Sequence, residues 1–193
     1  MLAVADEEST LADGNSFLEL TPDVIVACGD LPFDYLERLV TIVGKPLVHI
    51  PGNHDPEGSV PEGCVSVDGA IVDIGDLRVA GLGGSHRYCG GPNQYTQKQM
   101  KRRCKVLEWR ARLRRRPGRP LFDLLVTHAA PLGVGDDDDP CHRGFQAFHP
   151  LVAVTGPKAL VHGHVHPYGL EPPERHIGST RVVNAVGYRF LEI

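Results

Sequence analysis

Five short polar clusters along the chain share one chemistry. Asp6-Glu7-Glu8, Gly29-Asp30, Gly52-Asn53-His54-Asp55, Thr127-His128 and Gly163-His164-Val165-His166 each follow an apolar run directly. Together they offer carboxylate, amide and imidazole groups, a donor set that suits borderline divalent metals such as Mn, Fe, Zn or Ni. A carboxylate shared by two cations about 3.5–4 Å apart would clamp both sides of a phosphoryl displacement. The number of donors fits two metals better than one. His54 carries an imidazole that titrates near neutrality, and the carboxylate of Asp55 beside it could orient it. His164 and His166 point the same way if the backbone is extended, whereas a loop could aim them at different ions. In isolation Gly52-Asn53-His54-Asp55 could equally be an ordinary polar turn.

The elements that must position these clusters are legible from apolar patterning. Leu2–Ala5, Asp23–Cys28 and Pro46–Ile50 are continuous apolar runs, as expected of strands covered on both faces. Phe33 to Val43 carries Leu36, Leu39, Val40 and Val43 at helical spacing, with Gly44 as a stop. Residues 10–20 read as a loop or a short helix. The first third is therefore strand, helix, strand, with polar residues past the strand ends, the edge where open α/β sheets bind ligands. Farther on, Val65–Asp68, Ala70–Ile74 and Leu77–Leu82 read as a meander broken by Gly69 and Gly75. Glycine-rich turns follow at residues 81–88 and 90–92. Residues 95–116 form the clearest helix, with Met100, Cys104, Leu107 and Ala111 on one face. Residues 121–127 and 158–162 read as strands and 144–154 as a helix. Arg181–Val186 and Tyr188–Ile193 read as a closing hairpin. No repeat or linker interrupts the 193 residues, and the expectation is a single domain over 1–193.

Composition narrows the class. With 41% hydrophobic and 23% charged residues the chain is of ordinary soluble, globular type. A net charge of −4 gives no overall pull toward nucleic acid or membrane. No apolar run approaches the ~20 residues of a spanning helix, and Leu2–Ala5 is too short for a signal-peptide core. Five scattered cysteines without C-x-x-C spacing argue against a disulfide frame or thiolate zinc site and for a reducing cytoplasm. Ten histidines against one Trp and two Met are the unusual feature.

The ordered set Gly29-Asp30, Gly52-Asn53-His54-Asp55, Thr127-His128 and Gly163-His164-Val165-His166 resembles the signature of the calcineurin-like metallophosphoesterases. Thr127-His-Ala-Ala-Pro-Leu-Gly and His142-Arg-Gly-Phe145 resemble its small bacterial members. The resemblance covers nearly the whole chain. It implies an αββα sandwich of two mixed β-sheets flanked by helices, and a cytoplasmic, metal-dependent phosphoesterase acting on a small phosphomonoester or phosphodiester. It further implies two divalent ions, first of all Mn with Fe, Zn, Ni or Mg as alternatives, and a hydroxide bridging them as nucleophile. Carried over by position, Asp30 bridges both ions, Asp6 and His166 complete one site, and Asn53, His128 and His164 the other. His54 binds no metal and assists the leaving group. The first motif departs from the family, having Glu8 where a histidine is expected. Glutamate there could ligate as a hard oxygen donor, favouring Mn or Mg over zinc, or point to solvent, and Glu7 is a further candidate.

The remaining polar residues read more plainly. His162 and His49, inside strands, read as core residues, and His149 and His176 as surface ones. His86 and His142 lie in loops that could overhang the site, with Arg87 and Arg143 beside them as candidate phosphate donors. Asp136–Asp139 reads as a solvated acidic loop. Arg110, Arg112, Arg114, Arg115 and Arg116 complement the dipole at a helix end, although they could also mark a nucleic-acid or nucleotide footprint. The missing first-motif histidine leaves one alternative function, a catalytically weakened metal-binding or interaction module on the same fold. Oligomeric state is not readable from these features.

Overall fold

A computed structural model describes residues 1–9, 21–58, 60–167 and 174–193. The loop or short helix expected over residues 10–20 lies outside the described residues. Strand β1 (Leu2–Ala5) shows how the layers arise. Alternate side chains of a strand face opposite sides. Leu2 and Val4 accordingly join one buried cluster with Tyr35, Leu36 and Leu39, and Ala3 and Ala5 join another with Val126 and Val161. The first cluster is the seam between a sheet and helix α1 (Phe33–Val43); the second is the seam between two sheets.

The first sheet runs β13 (Gly187–Phe190), β1, β2 (Ile25–Ala27), β3 (Leu47–His49), β4 (Cys64–Ser66). The second runs β11 (Arg175–Ile177), β12 (Thr180–Asn184), β10 (Ala159–His162), β9 (Leu124–Thr127), β6 (Leu77–Leu82), β5 (Ile71–Ile74). β1 to β4 are parallel, with β13 antiparallel beside β1. In the second sheet β6, β9, β10 and β12 are parallel, and β5 and β11 are antiparallel edges. Its outer face carries α2 (Gln97–Leu113) and α3 (Phe148–Thr155) over Met100, Leu107, Phe122, Phe145 and Phe148. Each fully buried apolar side chain of this kind contributes roughly 1.5–3 kcal/mol. The architecture is the expected α/β sandwich of two mixed sheets flanked by helices. No helix among the described residues is long and apolar enough to cross a membrane, and all five cysteines are free.

α1 matches the expected bounds because Gly44, at φ 63°, closes it with its N–H on the Val40 carbonyl. α2 starts at a reciprocal Thr96/Gln99 capping box and is shorter than the expected 95–116. α3 starts four residues after the expected 144, because residues 144–147 pair with another loop instead: the Phe145 N–H reaches the Ala130 carbonyl at 3.0 Å. Two topological expectations fail. Residues 64–82 are not a meander, since β4 pairs with β3 while β5 and β6 pair in the other sheet. The end is not a hairpin, since β12 lies in the second sheet and β13 in the first. Period-two patterning says which residues face inward and nothing about which sheet a strand joins. A small parallel pair, β7 (Ser85–His86) and β8 (Gln94–Tyr95), follows β6.

Candidate metal centre

The carboxyl ends of β1, β2 and β3 meet those of β9 and β10 across the seam, and the polar clusters sit there. Three of the expected ligands adopt the left-handed backbone that non-glycine residues rarely occupy: Asp6 at φ 60°, Asp30 at φ 56° and His164 at φ 69°. Such backbone strain gathers at functional sites. The glycines before two expected ligands, Asn53 and His164, are required by contact. A Cβ on Gly52 would lie 2.0 Å from Asp30 Oδ1, and one on Gly163 would lie 2.3 Å from Asp6 Oδ2. The carboxylates rest directly on glycine backbone, which is why Gly precedes the ligand in both motifs.

The result is a convergence of donors. One ligand atom from each of Asp6, Asp30, His128 and His164 lies within 4.8 Å of the others. His128 is fully buried, and its Nδ1–H donates to the Cys28 carbonyl at 2.7 Å. That fixes the tautomer and leaves the Nε2 lone pair facing Asp30 Oδ2 at 3.2 Å and Asn53 Oδ1 at 3.1 Å. Three electron-pair donors aimed at one point repel unless a cation lies among them. A proton on Nε2 is one cation that would relieve the repulsion. Burial opposes it, but the Asp30 and Asp6 carboxylates outweigh burial and drive the His128 pKa up to about 9. The residues present therefore fit a divalent ion.

The carboxylates carry the same tension. Burial pushes the Asp6 carboxyl up, and the neighbouring Asp30 adds to it. Burial acts on Asp30 too, yet the charge and hydrogen bond of His128 and the His54 N–H at 2.8 Å outweigh it and hold Asp30 low. His164 receives an Asp6 Oδ2 contact on its backbone N–H at 2.8 Å, and its Nε2 meets the Cys141 carbonyl at 2.8 Å. A ring nitrogen facing a carbonyl must donate, so Nδ1 keeps its lone pair. Burial and the charge of His128 push the His164 pKa down to about 3, keeping the ring neutral, as a ligand must be.

His164 and His166 part company because the chain turns tightly at His164, with Val165 N–H on the Gly163 carbonyl at 2.8 Å. His166 donates instead from Nδ1 to Glu7 Oε1 at 2.9 Å, an arrangement that fixes the tautomer of a ligating imidazole. His166, His54 and Asn53 line a cleft of about 400 Å³ with Asp6, Asp30 and His164. Glu8 is not brought to this group: its side chain is 52% exposed and its carboxylate lies 3.8 Å from Arg38. Glu7, the lesser candidate, meets the site only through His166. Asp55 does not orient His54. Its Oδ2 accepts from the N–H groups of Gly52 at 2.8 Å and Asp30 at 3.0 Å, tying the two ligand loops together.

The structure adds three residues to the cleft wall: Tyr88, Cys141 and His142. His142 was singled out by its loop position; Tyr88 and Cys141 carried no signal in the sequence. Asp139 holds His142 Nδ1 at 2.7 Å and the Cys141 and His142 N–H groups at 2.9 and 3.1 Å. Asp136 bonds Gly133 and Gly144 N–H groups. The acidic run therefore caps turns as well as facing water. Arg87 and Arg143 are exposed and do not line the cleft. His162 is a core residue, as expected, with burial pushing its pKa down to about 4. His49 is likewise buried, His176 is exposed and His149 is half-buried against the Leu132 carbonyl.

A sequence model of the family described as calcineurin-like phosphoesterase matches residues 8–168. That span takes in Asp30, Asn53, His54, His128, His164 and His166 and begins two residues after Asp6. No curated protein matches the chain. A crystal structure of TT1561 of Thermus thermophilus superposes with a TM-score of 0.64 at 16% identity, covering 94% of this chain and 86% of its own. Another crystal structure superposes with a TM-score of 0.67 at 16% identity, covering 97% and 92%. These two likenesses bear on the fold.

Proposed function

Because the chain belongs to the calcineurin-like phosphoesterase family, whose members are in general metal-dependent phosphoester hydrolases, we propose that it hydrolyses a small phosphomonoester or phosphodiester at a two-ion centre. The observation that carries the reading is the convergence of Asp6, Asp30, His128 and His164 at the meeting edge of the sheets. Asp30 would be the carboxylate shared by the two ions; its Oδ2 faces His128 and its Oδ1 accepts from the His54 N–H. Asn53, His128 and His164 would hold one ion beside it, and Asp6 and His166 the other. When bound, divalent ions would lower the pKa of water and polarise a phosphoryl oxygen. The chain's own groups then bind and orient: Asn53 and His128 fix one end of the site, and Glu7 fixes the ring of His166. His54, on the cleft wall and outside the ligand group, faces the departing oxygen and can supply its proton. This mixed set of three oxygen and three imidazole donors suits borderline divalent ions, Mn first of all, with Fe, Zn, Ni or Mg as alternatives.

One observation favours a second reading. Glu8 stands at the surface near Arg38, so the Asp6/His166 site is a donor short, as a metal-binding module that has lost catalysis would be. Metal content and turnover measured on one sample separate the two. Two Mn ions per chain with hydrolysis of bis-p-nitrophenyl phosphate support the enzyme. One ion or none, with no turnover on any phosphate ester, would establish the module instead.

A further inference from the structure

We propose that Tyr88 is a substrate-contacting residue, its hydroxyl donating to a non-bridging phosphoryl oxygen in the cleft. The inference rests on the phosphoesterase reading above. It starts from a shortage: among the described residues, no Lys or Arg lines the cleft. Phosphoryl oxygens not held by an ion must therefore find neutral donors or imidazole there.

Tyr88 is built for the task. Asn53 turns its Oδ1 toward His128 and its Nδ2 toward the Tyr88 hydroxyl at 3.4 Å, so one amide spans the metal cluster and the phenol. A phenol that accepts from Asn53 still has its own proton to give, and at neutral pH it keeps that proton. The Cys89 thiol is a protein neighbour within hydrogen-bonding reach of that hydroxyl. Sulfur is a weak acceptor, and an anionic phosphoryl oxygen is a much stronger one.

The loop that carries Tyr88 is organised rather than loose. Gln94, buried to 5% exposure, accepts on Oε1 from the N–H groups of Tyr88, Cys89 and Gly90 at 3.2, 3.2 and 3.1 Å. The adjacent Asn93 donates from Nδ2 to the carbonyls of Gly52 at 3.0 Å and Asp55 at 3.1 Å. Gly84 N–H reaches the Pro51 carbonyl at 2.8 Å. The β7–β8 segment is thereby fastened to the loop that supplies Asn53 and His54, and Tyr88 keeps register with the ligands. Gln94 is a positioning residue in this scheme, acting through Tyr88.

The test titrates inorganic phosphate into the Mn-loaded protein and measures hydrolysis of bis-p-nitrophenyl phosphate on the same preparations. Tyr88→Phe removes one hydroxyl from a side chain 41% exposed, so the fold is unaffected. The expected result is a phosphate Kd raised about tenfold or more, a comparable fall in kcat/KM, and unchanged Mn affinity. Gln94→Leu is expected to reproduce the loss, and the double variant to be no worse than Tyr88→Phe alone. Unchanged phosphate binding in Tyr88→Phe overturns the proposal. So does a fall in Mn affinity that accounts for the lost phosphate, since Tyr88 would then act only on Asn53. A wild type that binds phosphate but hydrolyses nothing counts against the phosphoesterase reading, and the phosphate titration still decides Tyr88.

Discussion

At the scale of single residues, the site is defined by what His128 does with its two nitrogens. Nδ1–H is spent on the Cys28 carbonyl, and Nε2 shares its space with two oxygens. Replacing the charged one of the two partners, Asp30, should empty the site. Asp30→Ala is expected to abolish Mn binding by calorimetry and hydrolysis with it, while the circular dichroism spectrum stays native. Retained Mn binding would mean that Asp30 is not a ligand. His54→Ala is expected to keep both ions yet lose kcat by about 10²- to 10⁴-fold, the usual contribution of a proton donor. A loss of metal instead would move His54 into the ligand group. The ligand candidates were legible because each is a polar residue directly after an apolar run, and strand ends are where such residues gather. Glu8 shows the limit: spacing named its position, but its surroundings turned it toward Arg38. Tyr88 and Cys141 were beyond reach for another reason. Their places depend on loops folding back over the site, Tyr88 from 35 residues beyond Asn53.

At the scale of elements, the loops after the strands hold their shape by contact between a carboxylate and a glycine. Gly52→Ala would place a Cβ 2.0 Å from Asp30 Oδ1, forcing that carboxylate aside. We expect Mn affinity to fall about 10- to 100-fold, the range seen when a ligand loses its support, with the chain still folded. Native Mn affinity in that variant would mean that Asp30 need not lie over Gly52. A second clasp fastens the point where the chain leaves the first sheet for the second. Asp68 there accepts from the Gly83 N–H at 2.6 Å and from Arg103 at 2.5 and 2.6 Å, and Arg103 also covers the Tyr95 ring. Arg103→Ala is expected to lower unfolding stability by about 1–3 kcal/mol in urea titrations, because a partly buried carboxylate is left short of partners. Most of the basic residues toward the end of α2 work in the same way. Arg110 and Arg114 donate to the Gly69 and Ile71 carbonyls, and Arg116 pairs with Asp73 at 2.9 Å. These contacts give Arg110, Arg114 and Arg116 a structural role within the fold. The elements themselves were legible from periodicity and caps, α1 to the residue. Which sheet β4 and β13 join was not, because a strand's own pattern does not encode its neighbour.

At the scale of the whole molecule, two sheets meet along a seam narrow enough to be filled by Ala, Val and Ile, among them Ala3, Ala5, Ala159 and Ala185. That closeness lets Asp6 and Asp30 from one sheet share a cluster with His128 and His164 from the other. Burial of a histidine has a consequence for acid stability. His162 is fully buried with its pKa pushed from 6.5 down to about 4. An unfolded chain would take up the proton below 6.5, and the folded chain does so only near 4, so the contribution of His162 to stability falls as pH drops through that window and is undiminished above it. Urea midpoints at successive pH values should show this fall, and His162→Gln should flatten it. The central claim is that the gathered residues hold catalytic metal, and chelation tests it most directly. Protein stripped of divalent ions should hydrolyse bis-p-nitrophenyl phosphate at no measurable rate and regain activity to a plateau as Mn is added back. Full activity in the stripped protein, or none at saturating Mn, would contradict the account.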